Sequence, residues 1–299
     1  MDFTARPIDS TPLGEVLKLE ELGANRFRGR SQPGTSTRMF GGEVAGQAVR
    51  AVTSSEWAPG RVMHHGHASF LRAGDSGHPV TYRVQELRQG RTYTSCRVDA
   101  TQGDDLILTM TVGLTTTPND ESSARVLSHE SHAPIVASPD ECPDPWEAYA
   151  HDPFVLRWLD VYFATKPFEV RFPTPPHRAQ IARHGIATSR QRVWLRLLSA
   201  TPETYSWRVG GLSFISDAML LTTALGPHGL GFGEPSVQLA TITHTMWFHR
   251  DHDPHDWFLY DMGVDWSGHE RGLCNGAMYS LDGARIASFG QEGLVRLRE

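Results

Sequence analysis

The sequence predicts an α+β fold made of two similar units in tandem. Three observations carry this. First, short matches recur at one spacing: Phe70-Leu71-Arg72 and Phe248-His249-Arg250, then Tyr82 and Tyr260, lie 178 residues apart. Arg91 and Arg271, then Gly103 and Gly283, lie 180 apart, as if two residues had been inserted. Second, the first half reads as one helix followed by a meander of strand-like runs, the pattern of a helix laid on an antiparallel sheet. Third, the second half repeats that order. A period this long means two fused domains and not a solenoid.

Taken in order, Val16 to Arg30 reads as a strand with polar breaks. Gly41 to Val52 is predicted as a helix, because Val44, Ala45, Ala48 and Val49 fall at helical spacing. Strands follow at His67–Arg72, Val80–Leu87, Thr92–Ala100 and Leu106–Thr115. Turn signals divide them: Ala73-Gly74-Asp75-Ser76-Gly77, Gln89-Gly90 and Gln102-Gly103-Asp104. From Pro118 the chain turns rich in Pro, Ser, Asp and His and loses periodicity, which marks a linker with one short helix around Val155–Phe163. The second unit then runs through a strand at Val193–Leu198 and a long helical run at Tyr205–Leu225. Strands at Ile242–His249, Trp257–Met262, Leu273–Ser280 and Arg285–Leu297 complete it, with Gly263 to Gly272 as a loop. The expected organisation is a first domain at 1–118, a linker at 119–165 and a second domain at 166–299.

Composition removes several function classes. A length of 299 residues can bury one large core or two medium ones. The net charge of −6, with no basic block and no aromatic platform, argues against nucleic-acid binding. The opening Met1-Asp2-Phe3-Thr4-Ala5-Arg6-Pro7 has no apolar signal segment, and no apolar run is expected to reach the length needed to span a bilayer, so no membrane insertion is expected. The last residues, Arg296-Leu297-Arg298-Glu299, are not a peroxisomal address. Cys96, Cys142 and Cys274 are sparse and odd in number, which fits reduced thiols and a cytoplasmic location.

Among the residues that could do chemistry, Asp217 comes first. It sits inside Leu212-Ser213-Phe214-Ile215-Ser216-Asp217-Ala218-Met219-Leu220-Leu221. A carboxylate there is costly unless it is hydrogen-bonded or used, and burial would raise its pKa toward that of a general base. A solvated helix face, or a cap at a break near Ser216, would explain it without function. Thr241 opens a strand, where Thr is ordinary. Gln291 interrupts the last strand between Gly290 and Gly293, and glycines inside a strand point to a bulge or a close backbone approach. The His249–His255 loop and the His64–His67 run have ligand-like chemistry, but neither spacing fixes a common face, so no metal is expected. There is no Gly-x-Ser-x-Gly elbow and no P-loop. Gly229-Leu230-Gly231-Phe232-Gly233 follows a helix and precedes a strand, the wrong order for a dinucleotide loop.

Several of these stretches together resemble the type II acyl-CoA thioesterases. The first half contributes Met39-Phe40-Gly41-Gly42-Glu43-Val44-Ala45-Gly46-Gln47-Ala48 and Ser69-Phe70-Leu71-Arg72-Ala73-Gly74-Asp75-Ser76. The second contributes Pro227-His228-Gly229-Leu230-Gly231-Phe232, the run from Gln238 through Ala240-Thr241-Ile242-Thr243-His244 to Arg250, and Gln291-Glu292-Gly293. Order and spacing match across nearly the whole chain, except the linker. There are departures: Ala73 replaces a Pro, Glu43 stands where the family often has Gln, and Thr243 where it often has Asp.

The resemblance implies a double hotdog, each half a long helix wrapped by a curved antiparallel sheet. It also implies that Asp217, Thr241 and Gln291 hold and activate a water that attacks a fatty acyl-CoA thioester, without a cofactor. Backbone N–H groups near Phe40–Gly42 are a chemically sensible oxyanion site. Glu43 is a rival base on the first helix, because single-domain hotdog thioesterases often use a helix carboxylate. A homo-oligomer follows by analogy. The alternative is a non-hydrolytic hotdog protein, either an acyl-thioester binding module or a hydratase-like lyase, and a thiol-release assay separates the two.

Overall fold

The computed structural model describes residues 11–30, 38–116, 127–163 and 166–298. The leaderless start expected at 1–7, the boundary at 118/119 and the ends of the expected linker at 119–126 and 164–165 lie outside them. The elements of the first half are α1 (Leu13–Val16), β1 (Leu19–Gly23), β2 (Arg26–Gly29), α2 (Gly41–Thr53), β3 (Arg61–Phe70), β4 (Val80–Gln89), β5 (Tyr93–Gln102) and β6 (Asp105–Thr116). Then come α3 (Pro145–Ala148) and α4 (Pro153–Tyr162). The second half holds β7 (Phe168–Arg171), α5 (His177–His184), β8 (Arg190–Leu197), α6 (Tyr205–Ser216), β9 (Val237–Phe248), β10 (Phe258–Gly268), β11 (Arg271–Ser280) and β12 (Arg285–Leu297).

Among the described residues the twelve strands form one sheet, in the order β1-β2-β4-β5-β6-β3-β9-β12-β11-β10-β8-β7. Outward from the β3–β9 seam the two halves list equivalent strands in the same order. At the seam His67 pairs with Thr245, and these two residues lie 178 apart, the spacing of the sequence repeat. A local two-fold therefore passes between them, and the repeat is structural. Gly103 and Gly283, another repeated pair, both sit in turns with positive φ.

Helix α2 lies against β3 to β6, with Ala45, Ala48, Val49 and Val52 fully buried. Helix α6 packs antiparallel on α2. Gly46 meets Gly210 and Gly42 meets the carbonyl of Phe214 so closely that a side chain at Gly42 would collide with backbone. Tyr82 and Tyr260, the repeated tyrosines, are both fully buried, and each hydroxyl donates to a group on its own helix: Gln47 Oε1 in the first half, the Ser216 carbonyl in the second. Burying such rings stabilises each half by roughly 1.5–3 kcal/mol apiece, provided the hydroxyl is paired.

The structure corrects four sequence expectations. The helical run from Tyr205 does not reach Leu225. It stops at Ser216, Met219 takes a left-handed backbone (φ 65°), and a 3-10 segment covers Leu221–His228. The break has capping partners that local sequence cannot reveal: the Tyr260 hydroxyl donates to the Ser216 carbonyl, and the Tyr162 hydroxyl accepts from the Met219 N–H. The stretch Tyr205–His228 also reaches the length and hydropathy of a spanning helix, against expectation, but it is mostly buried inside the molecule. Gly263 to Gly272 is not a loop. Strand β10 runs to Gly268 and turns tightly through His269 and Glu270, both at positive φ, into β11. Finally, Val16–Arg30 is a helix end plus the β1–β2 hairpin, turned at Gly23, Ala24 and Asn25.

The described part of the expected linker does more than connect. Helix α4 is capped by the Asp152 carboxylate and buries Val155 and Leu159 in the main core. Tyr162 and Phe163 extend this packing to the α6 break. The three cysteines are free and buried.

Candidate active site

Asp217 is the C-cap of α6 and lies beyond the last helical turn, where the break swings it across to the start of α2. Its Oδ2 accepts the Gly42 N–H at 2.8 Å, one of the N–H groups that a helix start leaves unpaired. Its Oδ1 accepts from Gln291 Nε2 at 2.5 Å and from Thr241 Oγ1 at 3.2 Å, and Gln291 Nε2 also reaches Thr241 Oγ1 at 2.9 Å. The three side chains singled out from the sequence thus meet in one hydrogen-bonded cluster. Gly41 must be glycine here, since an added Cβ would stand 2.7 Å from the Asp217 carboxylate.

A β-bulge brings Thr241 in. Along β9, His244 and Met246 face the core, so plain alternation would carry Ile242 inward and Thr241 out. The register with β12 shifts between Glu292 and Gly293, where Thr243 and Thr241 face consecutive residues and Ile242 is the extra one. The phase reverses, Ile242 lies exposed and Thr241 turns toward Asp217. The glycine signal read around Gln291 is explained at Gly293: a Cβ there would strike Leu221 at 2.3 Å and the Ala240 carbonyl at 2.8 Å.

Burial is the largest influence on Asp217 and pushes its carboxyl up to about 6. The bonds from Gln291, Thr241 and Gly42, and then the charge of Lys166, pull it back down. Gln291 is fully buried, and its Oε1 has no hydrogen-bond partner among the described residues. Glu43, the rival base, is buried in the first turn of α2 and is not part of the Asp217 cluster. The N–H of Gly42, expected to face an oxyanion, is instead given to Asp217.

Two neighbours were assigned no role from the sequence. His244 pairs with Gln291 across the ladder, bonds Ser216 Oγ at 2.7 Å and stacks parallel to Phe289. Burial drives its pKa down to about 4, so it is a neutral prop behind the cluster. Lys166 places its Nζ 4.6 Å from the Phe40 ring centroid and 5.1 Å from that of Tyr162. His244 stands in the motif run from Gln238 to Arg250, where the sequence assigns it no role, and Lys166 sits in no motif. The histidine groups form no ligand set: His249 bonds Ser288, His255 bonds Asp253 and the Ser199 carbonyl, and His64 and His65 bond each other. Among the described residues no three His, Cys, Asp or Glu side chains converge.

Residues 163–294 match the family model described as acyl-CoA thioesterase, and residues 30–115 match the one described as acyl-CoA thioesterase N-terminal domain. Acyl-CoA thioesterase 2 of Haemophilus influenzae is 32% identical over 292 residues, covering 95% of this chain and 96% of that one. The human acyl-coenzyme A thioesterase 8 is 29% identical, with 95% and 88% covered. Among solved structures, an acyl-CoA thioesterase II from Mycobacterium marinum superposes with a TM-score of 0.75 at 28% identity, over 96% of this chain and 99% of that one. The two-helix, one-sheet architecture is therefore a double hotdog.

Proposed function

The chain belongs to the acyl-CoA thioesterase family, and from that premise we propose that it hydrolyses fatty acyl-CoA to free fatty acid and CoA with a water held by Asp217, Thr241 and Gln291. One observation supports the assignment above the others: a buried carboxylate receives three donors at once and still has its proton affinity raised to about 6. Structural carboxylates with three donors are ordinarily driven the other way. A base poised just below neutrality is ionised at work and still a useful proton acceptor.

The roles follow from donor and acceptor capacity. A water has two O–H groups to place. Asp217 accepts one, and Gln291 Oε1, whose amide nitrogen is already committed to Asp217 and Thr241, is left to accept the other. Thr241 locks the carboxylate and amide in one orientation. The water oxygen bonds to the thioester carbon, the carbonyl electron pair moves to its oxygen, and the water proton passes to Asp217. On collapse the carbonyl re-forms and the C–S bond breaks with its electrons to sulfur. Asp217 then returns the proton to the thiolate, leaving a fatty acid, free CoA thiol and the starting carboxylate. Nothing in this sequence draws on a cofactor. A cytoplasmic location and a homo-oligomer belong to the same proposal.

The test is thiol release from a medium-chain and a long-chain acyl-CoA by the purified protein, with Asp217→Asn alongside. Release by the wild type and its collapse in the variant are expected. No release, or an unaffected variant, overturns the reading.

A further inference from the structure

We propose that the Lys166 ammonium binds the thioester carbonyl oxygen and takes up its negative charge as the water adds. This rests on the hydrolytic reading above. The need for such a group comes from the cluster itself. The backbone N–H best placed to hold an oxyanion, that of Gly42, is already donated to Asp217. Addition of water to a carbonyl puts a full charge on oxygen, and a site without a donor for it leaves the largest catalytic contribution unused.

Lys166 has the position and the donors. Its Nζ lies over two rings, and both belong to residues that frame Asp217. Phe40 is the N-cap of α2, whose Gly42 grips the carboxylate. Tyr162 accepts the N–H of Met219, two residues past Asp217. An ammonium carries three N–H donors, and the contacts described for this Nζ are with the two ring faces. Ring faces attract the charge but do not replace directional bonds. Burial lowers the Lys166 pKa and the carboxylates of Asp217 and Glu43 oppose that shift, while the side chain keeps partial exposure through which an oxygen can reach it. A carbonyl oxygen that becomes an alkoxide is such an oxygen, and it is most strongly bound in the transition state.

The competing role for Lys166 is to keep Asp217 ionised, and pH separates the two. The titratable groups around this pair are Glu43 on α2, Tyr162 on α4, Tyr260 on β10 and His244 on β9. The two tyrosines are raised by burial and His244 is held down at about 4, so they keep one state across neutrality. Glu43→Gln in the same series identifies any limb that belongs to it. The experiment measures kcat and KM against pH for the wild type, Lys166→Met, Lys166→Arg and Asp217→Asn with one acyl-CoA. Expected is a loss in kcat of about 10²–10³-fold for Lys166→Met, KM nearly unchanged, a loss that persists on the plateau above the acid limb, and partial recovery in Lys166→Arg. A loss that vanishes on the plateau, a change confined to KM, or equal loss in both variants with a lowered Tm overturns the proposal. If Asp217→Asn keeps full turnover while Lys166→Met is dead, the water assignment fails and the oxyanion assignment stands. A wild type that releases no thiol removes both.

Discussion

The paired helices have two ends, related by the local two-fold, and among the described residues a carboxylate bridges α6 to α2 at one of them, where hydroxyls meet at the other. The N-caps of α2 and α6, Phe40 and Thr204, lie 164 residues apart. By that spacing Thr53 corresponds to Asp217, and Ser206 to Gly42. At one end Asp217 takes the Gly42 N–H; at the other, the Thr53 and Ser206 hydroxyls meet at 2.8 Å. The sheet tells the same story. Strand β3 has a bulge at His64, 178 residues before the one at Ile242. The bulge that presents Thr241 in the second half presents Met63 in the first, and Val112, which pairs with Gly66, stands where Gln291 pairs with His244. Met63 and Val112 are buried apolar side chains, and the Tyr205 hydroxyl closes over the backbone of Met63. The frame for a site is built twice; the chemistry depends on three side chains. It also follows that neither half owns its end: the carboxylate comes from the second half and its N–H anchor from the first.

The comparison can be broken most severely at the carboxylate. Asp217→Asn is expected to fold and to lose about 10²–10⁴-fold in kcat, since an amide cannot take the proton. Glu43→Gln is expected to lose much less, and a steady-state assay that ranks them the other way would move the base to α2. Next come Thr241→Ala and Gln291→Ala, each expected to lower kcat by up to about 10²-fold with little change in KM. The double variant should lose clearly less than the product of the two, as residues acting on one water do. Multiplicative losses would assign them to different steps.

The third prediction is a pH dependence that only the second end can supply. The base must be ionised, so kcat/KM is expected to fall as pH drops through about 6, and Asp217→Asn should lack that limb in its residual rate. Stability runs the opposite way. The folded carboxyl holds its proton up to about 6 and the unfolded one only to about 3.8, so stability is expected to decrease as pH rises between them, by up to about 3 kcal/mol. Denaturant unfolding at pH 4 and pH 7 checks this against the variant. The smallest effect belongs to the other end. Thr53→Ala is expected to leave kcat intact and to cost about 1 kcal/mol through the lost Ser206 contact, read as a lowered Tm. A kcat effect as large as that at Thr241 would show that the two ends are coupled.

Much of this was legible in the sequence, and what was not has identifiable causes. The helix-plus-meander order was readable because the runs are long and the turns carry Gly and Asp. The residues of the cluster were readable because an Asp in an apolar run and a Gln between glycines each break a local rule. Their convergence was implied only by the family resemblance and not by any local rule, because it depends on the stop after Ser216 and on the bulge at Ile242. The stop is capped by Tyr162 and Tyr260, distant in sequence, and is marked by no Gly or Pro. The bulge consists of ordinary strand residues. The His269-Glu270 turn was missed for the same reason: its two central residues include none of the Gly, Asn or Asp that mark such turns. Lys166 was invisible because its significance lies in what surrounds it.

The bulge in β3 has a second consequence, on the ribosome. The first half is synthesised first, and at about 5–20 residues per second β9 follows β3 by on the order of ten seconds or more. During that interval β3 is an unpaired edge, open to any other nascent strand. A bulge such as the one at His64 bends a strand and increases its local twist, which makes the leading part of that edge a poorer template for a foreign strand. The seam from His65 to Ser69 remains in register for β9. An irregularity that in the second half aims a hydroxyl interrupts, in the first, the regular edge that β3 would otherwise offer.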